Sequence, residues 1–327
     1  MTGLVTIFGG SGFLGRYITQ RMARQGWRVR VATRRPNDSM FVRTYGVVGQ
    51  VEPIFCNIRD DDSVRAALAG ADVVVNCAGI LSEKRKNRFD AVQAEGAGRV
   101  ARLAKEEGVE RMIQVSAIGA DAASESDYSR SKAEGEALVL EHMPQATILR
   151  PSVMFGAEDE FFNRFAGMSR MGPVLPMVGG TTVFQPVFVD DVAAAAELAI
   201  LGKAAGGIYE LGGPDAKTFR ELMQEMLGVI HRRRVLVNLP IWLAKLMAFG
   251  LNIVQFLSLG LIHNDTLTAD QIVNLQKDNV VSGDHKGFSD LGITPVATEA
   301  VLPDYLWRFR PSGQYDAIKD SAKNLRA

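Results

Sequence analysis

Cysteine is almost missing from this chain, with Cys56 and Cys77 the only two among 327 residues. Both fall in expected strands, which reads as buried reduced thiols and excludes a disulfide framework. His142, His231, His263 and His285 show no metal-ligand spacing, so no metal site is expected. Net charge is missing too, since 37 Lys and Arg balance 37 Asp and Glu. A chain without basic excess offers no footprint for a polyanion, which excludes nucleic acid as a partner. There is no internal repeat or low-complexity tract. No signal peptide precedes the first expected strand, so a cytoplasmic or matrix-like compartment is expected. What remains is an ordinary globular composition, 47% hydrophobic and 23% charged, long enough for one nucleotide-binding domain with a substantial addition.

The most informative stretch is Leu4-Val5-Thr6-Ile7-Phe8 followed by Gly9-Gly10-Ser11-Gly12-Phe13-Leu14-Gly15. It reads as a buried strand running into a glycine turn, with helical spacing from Arg16 to Gln25 and a stop at Gly26. In that context Gly9 permits the tight turn and Gly12 permits close approach of a pyrophosphate. Gly15 lets the helix pack on the strand. The helix N-terminus supplies N–H groups and partial positive charge to the phosphates. Ser11, Phe13 and Leu14 belong to the same nucleotide-facing turn. Spaced glycines alone would mark only a turn; the strand before and helix after make dinucleotide binding the reading.

A second strand, Trp27–Thr33, ends at Arg34-Arg35 with no acid before Asp38. An acid there would hydrogen-bond the ribose 2′-OH of NAD, whereas Arg accommodates a 2′-phosphate. The expectation is NADP(H) in preference to NAD, the alternative being an exposed basic turn before Pro36. A third strand, Val51–Ile58, would bring Asn57 and Ile58 near the adenine. A fourth, Ala71–Gly79, would let the nucleotide pass close to Cys77, Ala78 and Gly79. A continuous helix is expected over Arg88–Glu107, and a fifth strand, Arg111–Ser116, leaves Ser116 at its carboxyl end.

Tyr128 and Lys132 open the next expected helix, four residues apart and so on one face. A phenol releases its proton at about pH 10 in water, and a neighbouring ammonium favours the phenolate. Ser116 would orient a substrate carbonyl, Tyr128 would transfer the proton, and Lys132 would tune Tyr128 and bind the nicotinamide ribose. The alternative is a surface helix with an incidental Tyr and Lys.

The glycine turn, Asn76-Cys77-Ala78-Gly79, Ser116 and the Tyr128/Lys132 pair resemble the extended or atypical branch of the short-chain dehydrogenase/reductase superfamily. Ile148–Gly156 looks like that branch's sixth strand and turn, with Pro151 at its nucleotide-facing end. The resemblance implies an α/β fold, a doubly wound parallel sheet of Rossmann type, with a smaller and mostly helical C-terminal region. Residues 1–155 would form the dinucleotide-binding domain, with 184–201 returning to it. Residues 156–183 and 202–310 would face substrate or partner, and 311–327 would be a polar tail.

Phe155–Phe165, Phe184–Ala193 and Gly207–Pro214 further resemble the family of the 39-kDa accessory subunit of respiratory complex I, NADH:ubiquinone oxidoreductase. That resemblance implies an NADPH-binding subunit beside other complex I subunits, peripheral on the inner membrane, whose nucleotide is structural. The chain nevertheless keeps Ser116, Tyr128 and Lys132, which leaves open a soluble NADPH-dependent reductase, epimerase or dehydratase.

The segment 236–263 carries one charge, Lys245, among many large apolar residues, and Arg232-Arg233-Arg234 precede it. Interruptions by Gly250, Asn252, Gln255 and Gly260 argue against a membrane span. Two short helices packing on a partner or a membrane interface are the reading, and a buried substrate lid is the alternative.

Overall fold

The computed structural model describes residues 3–83, 86–243, 246 and 269–315. The chain divides into two units. One comprises Met1–Ser152, Val189–Gly212 and Val281–Pro295; the other comprises Val153–Phe188, Gly213–Val280 and Val296–Ala327.

The first unit is built on seven strands: β1 (Leu4–Phe8), β2 (Arg28–Thr33), β3 (Val51–Phe55), β4 (Val73–Asn76), β5 (Arg111–Val115), β6 (Thr147–Pro151) and β7 (Gly207–Leu211). Every neighbouring pair is parallel, in the order β7-β6-β5-β4-β1-β2-β3. Runs such as Val73-Val74-Val75 are fully buried, as strands covered on both faces require. Its helices are α1 (Phe13–Arg24), α2 (Asp61–Leu68), α3 (Glu95–Glu106), α4 (Asp127–His142) and α5 (Val189–Ile200). Asp60 caps α2 by accepting from Ser63 N–H, and Ser126 caps α4 by accepting from Ser129 N–H. The chain winds outward one way through β2 and β3 and the other way through β4, β5 and β6. The switch lies between β1 and β4, and ligands bind beyond the strand ends at such a point.

Helices α3 and α4 approach unusually closely, and glycine is the reason. A Cβ on Gly98 would stand 2.9 Å from Cβ of Leu138, and one on Gly135 would stand 2.3 Å from the carbonyl oxygen of Gln93. Arg21 of α1 grips α5 through Asp190 and Glu197, each at 2.8 Å.

The second unit has its own core, with Phe155, Phe162, Phe184, Phe219, Leu222 and Leu302 buried together. The helix Phe219–Val229 begins in a capping box between Thr218 and Glu221. Tyr305 donates to Asp159 at 2.5 Å, closing the loop after Gly156.

Two expectations change, and one element is new. The helix expected over Arg88–Glu107 instead opens as a π-helical turn, Asp90–Ala94, before α3. Residues Asn37–Tyr45, which carried no expectation, form a 3-10 helix. The start of the segment 236–263 is a strand, not a helix: Val235–Leu239 alternates Val-Leu-Val-Asn-Leu and pairs in parallel with Val174–Val178. The rest of that segment, apart from residues 240–243 and 246, lies outside the described residues. Among the described residues, no helix is long and apolar enough to cross a membrane.

Candidate functional site

Gly9 ends β1 with φ +74°, a left-handed conformation that glycine adopts without strain. A Cβ there would lie 3.2 Å from the carbonyl of Cys77, so β1 and the loop after β4 meet at this point. Gly12 N–H donates to Gly9 O at 2.9 Å, and Gly12 then starts α1 with no side-chain cap and no acid in the first turn. A Cβ on Gly15 would sit 2.2 Å from Gly9 O. The turn therefore has no room for a side chain at Gly15, and it presents an uncapped helix N-terminus, which suits a pyrophosphate. Phe13 stacks edge-to-face on Tyr17, Leu14 is buried, and Ser11 O accepts from Arg16 Nη2 at 3.3 Å.

At the end of β2, Arg34 is exposed and has no ion-pair partner among the described residues, while Arg35 faces Asp38 at 3.8 Å. Asn57 Oδ1 accepts from the main chain and Nε of Arg59, at 3.3 and 3.4 Å. Ile58 is packed in the core beside Gly96 on α3.

The ends of β4, β5 and β6 bring the remaining residues together. Cys77, Ala78 and Gly79 follow β4, and the loop is shaped by Asn76, which the sequence reading passed over. Asn76 is fully buried; its Oδ1 accepts from Ala78 N–H at 3.1 Å and its Nδ2 donates to Gln114 at 2.9 Å. Cys56 is buried as expected, whereas Cys77, just past the strand end, is half-buried, and desolvation of its thiol pushes it up to about 12. Pro151 is buried at the end of β6, and its carbonyl accepts from Ile118 N–H at 3.0 Å.

Ser116 follows β5 and is 4% exposed, its N–H donating to Leu149 O at 2.7 Å. Among the described residues its Oγ has no hydrogen-bond partner. A buried hydroxyl left unsatisfied is costly, and a ligand oxygen would relieve it. Lys132 is 7% exposed, and its Nζ donates to Val115 O at 3.3 Å and lies 5.8 Å from the ring centre of Tyr128. A Cβ on Gly79 would stand 3.5 Å from that Nζ, so the ammonium reaches the β4 loop as well. Burial lowers Lys132 to about 8, against the opposing pull of Glu136 and Cys77. Tyr128 is half-buried and edge-to-face with Phe89 at 5.8 Å.

Two further groups support this corner. Glu136, one turn beyond Lys132, takes a bidentate ion pair from Arg150 at 2.9 and 2.7 Å. Gln93, in the π-helical turn, donates to Ile80 O at 2.8 Å and keeps a buried, unpaired Oε1. Glu136 could have been found from its spacing to Lys132, but nothing local in the sequence marks Gln93.

The glycine cradle and the unsatisfied Ser116 hydroxyl are compatible with a nicotinamide dinucleotide; the glycine turn would hold its phosphates and Lys132 its ribose. When bound, that group supplies hydride chemistry.

Comparison with known proteins agrees with this geometry. The model of the NAD dependent epimerase/dehydratase family matches residues 5–212. The chain is 39% identical over 323 residues to NADH dehydrogenase [ubiquinone] 1 alpha subcomplex subunit 9, mitochondrial, of Arabidopsis thaliana, covering 96% of this chain and 80% of that one. It is 31% identical over 240 residues to the ceramide reductase of Caulobacter vibrioides, covering 73% of this chain and 74% of that protein. Among solved structures, the Bordetella bronchiseptica enzyme WbmG in complex with NAD superposes with a TM-score of 0.70 at 16% identity, covering 97% of this chain and 95% of that one.

Proposed function

The chain belongs to the NAD dependent epimerase/dehydratase family and, within it, to the family of the 39-kDa, or subunit 9, chain of complex I. From that premise we propose that it is an NADP(H)-binding, reductase-like subunit that assembles peripherally with respiratory complex I on the cytoplasmic or matrix side of the inner membrane. The observation carrying this reading is the extent of the likeness to the Arabidopsis subunit, 96% of this chain, well past the residues the family model covers. Arg34 would take the 2′-phosphate, since its guanidinium has no competing carboxylate among the described residues. The nucleotide would mainly stabilise the fold: a ligand that binds only the native state adds about 2.7 kcal/mol at one hundred times its dissociation constant. The domain division would follow the nucleotide site, with residues 1–155 binding and the later regions facing partners.

Extraction of native membranes in mild detergent, followed by affinity capture of this chain, tests the proposal. The expected result is stoichiometric complex I subunits with NADPH that persists unoxidised. A lone protein that exchanges its nucleotide freely overturns it.

The unsatisfied Ser116 Oγ and the buried Lys132 favour a second reading, a soluble NADPH-dependent reductase, epimerase or dehydratase. Ser116 would hold the substrate oxygen, Tyr128 would pass the proton, and Lys132 would stabilise the phenolate. Under this reading Tyr128→Phe abolishes turnover while nucleotide affinity stays the same. An unchanged cellular phenotype in that variant counts against it.

A further inference from the structure

The second unit concentrates positive charge at a place that the nucleotide site does not use. A cavity of about 660 Å³ runs along one side of the helix Phe219–Val229 and the turn after it, lined by Arg220, Gln224, His231, Arg232, Arg233 and Arg234. The helix closes with His231 N–H donating to Gly228 O and Arg232 N–H donating to Leu227 O, both at 3.1 Å. This terminus calls for a left-handed residue, usually glycine. Here it is His231 at φ +54°, the one non-glycine with positive φ among the described residues. The turn folds the three arginines back over the helix end.

Two of the guanidiniums are fixed in place. Arg232 Nε donates to Phe309 O at 2.8 Å and Arg234 Nε donates to Ser169 O at 2.7 Å, which leaves Nη donors for a ligand. None of the four lining arginines is paired with a carboxylate among the described residues. The acids of the same helix are engaged elsewhere, Glu221 with Thr218 and Glu225 with Lys217. Arg170 adds to the positive field and, with burial and Arg234, holds Arg232 below its usual value. Clustered cations without a counter-ion repel one another, and an anion relieves this.

Apolar surface adjoins the charge. In the strand pair Val235 stands opposite Val174, and both are exposed. Met171, next to Arg170, is 82% exposed. A free phosphate would satisfy the arginines and leave these side chains in water. An amphiphile answers both features, and basic residues bordered by exposed apolar side chains suit an anionic membrane surface.

We propose that this arginine pocket binds the phosphate of an anionic phospholipid headgroup, with Met171, Val174 and Val235 meeting the acyl boundary. The inference is independent of the nucleotide site and of any partner protein. The full chain is tested by flotation with vesicles of phosphatidylcholine, alone or doped with phosphatidylglycerol. Titration with inorganic phosphate forms the second arm.

The expected result is binding only to the doped vesicles, lost at high salt. In Arg220→Gln/Arg233→Gln, whose altered side chains make no hydrogen bond among the described residues, binding should weaken roughly fivefold for each charge removed. The control Arg24→Gln/Arg28→Gln, on exposed residues of the other unit, should bind as the parent does. His231→Gly should fold at least as stably as the parent, because glycine relieves the positive φ, and it should still bind doped vesicles. Tight binding of inorganic phosphate without vesicle preference overturns the lipid assignment. Absence of binding in both arms, or equal weakening in the control, overturns the proposal altogether.

Discussion

Lys132 Nζ donates to the main-chain oxygen of Val115 at 3.3 Å, one residue before Ser116. That bond ties the helix bearing Tyr128 to the strand end bearing Ser116, and it buries a cation. The cost of burial has a pH signature. The folded protein releases the Lys132 proton near pH 8 and the unfolded chain near 10.5, so between those values the unfolded state binds more protons. Stability therefore rises with pH through that window, by about 3 kcal/mol in total for this group. Urea unfolding of parent and Lys132→Met across pH 7 to 10 checks it: the difference between the two should shrink or reverse as pH rises, and parallel profiles would contradict the assignment.

The glycine turn separates space for a ligand from space for the fold. A Cβ on Gly12 meets only Gly9 O, at 3.1 Å, whereas one on Gly15 collides with Gly9 O and with Gly10 Cα at 2.7 Å. Gly12→Ala should keep its melting temperature and lose nucleotide affinity. Gly15→Ala should lose both, with a stability cost of about 1–3 kcal/mol. Thermal melts with and without NADPH distinguish the two.

Arg34→Glu replaces an unpaired guanidinium by a like charge to phosphate. A charge-assisted hydrogen bond contributes about 1.5–3 kcal/mol, so NADPH affinity should fall at least tenfold while NADH affinity changes little. Calorimetric titration with both nucleotides decides the matter, and equal losses would remove Arg34 from the 2′-phosphate site.

Burial raises Cys56 to about 11 and Cys77 to about 12. Thiolate is the reactive form, so both cysteines should resist iodoacetamide at neutral pH in the folded chain and react fully in denaturant. Mass spectrometry after timed alkylation measures this, and fast labelling of Cys77 in the native protein would contradict the burial of its thiol.

The parts of the fold legible in the sequence are those governed by neighbours along the chain. The strand before Gly9, the helix after it and the Tyr128–Lys132 spacing are local patterns, and six strands of the sheet carry apolar runs or stand before recognisable turns; the seventh, Gly207–Leu211, is short and is fixed by its pairing with Thr147–Pro151, sixty residues away. The illegible parts depend on residues far apart in sequence. Asn76 reads as one more strand residue until Gln114 lies beside it on β5. Gln93 reads as part of a regular helix because the π-helical turn arises where its carbonyl meets Gly135 on α4. Leu236–Leu239 was absorbed into a long apolar run, although its alternation is that of a strand and its partner lies some sixty residues upstream.

The notches at Gly98 and Gly135 have a mechanical result. Each receives an atom of a neighbouring segment where any side chain would collide, Leu138 of α4 at Gly98 and the Gln93 carbonyl of the π-helical turn at Gly135, so α4 meshes with α3 and with the turn before it like toothed racks. The helix carrying Tyr128 and Lys132 has no axial play. Repositioning of Lys132 must come from rotation about its own side-chain bonds, and hydrogen exchange should find the two helices opening together as one foldon.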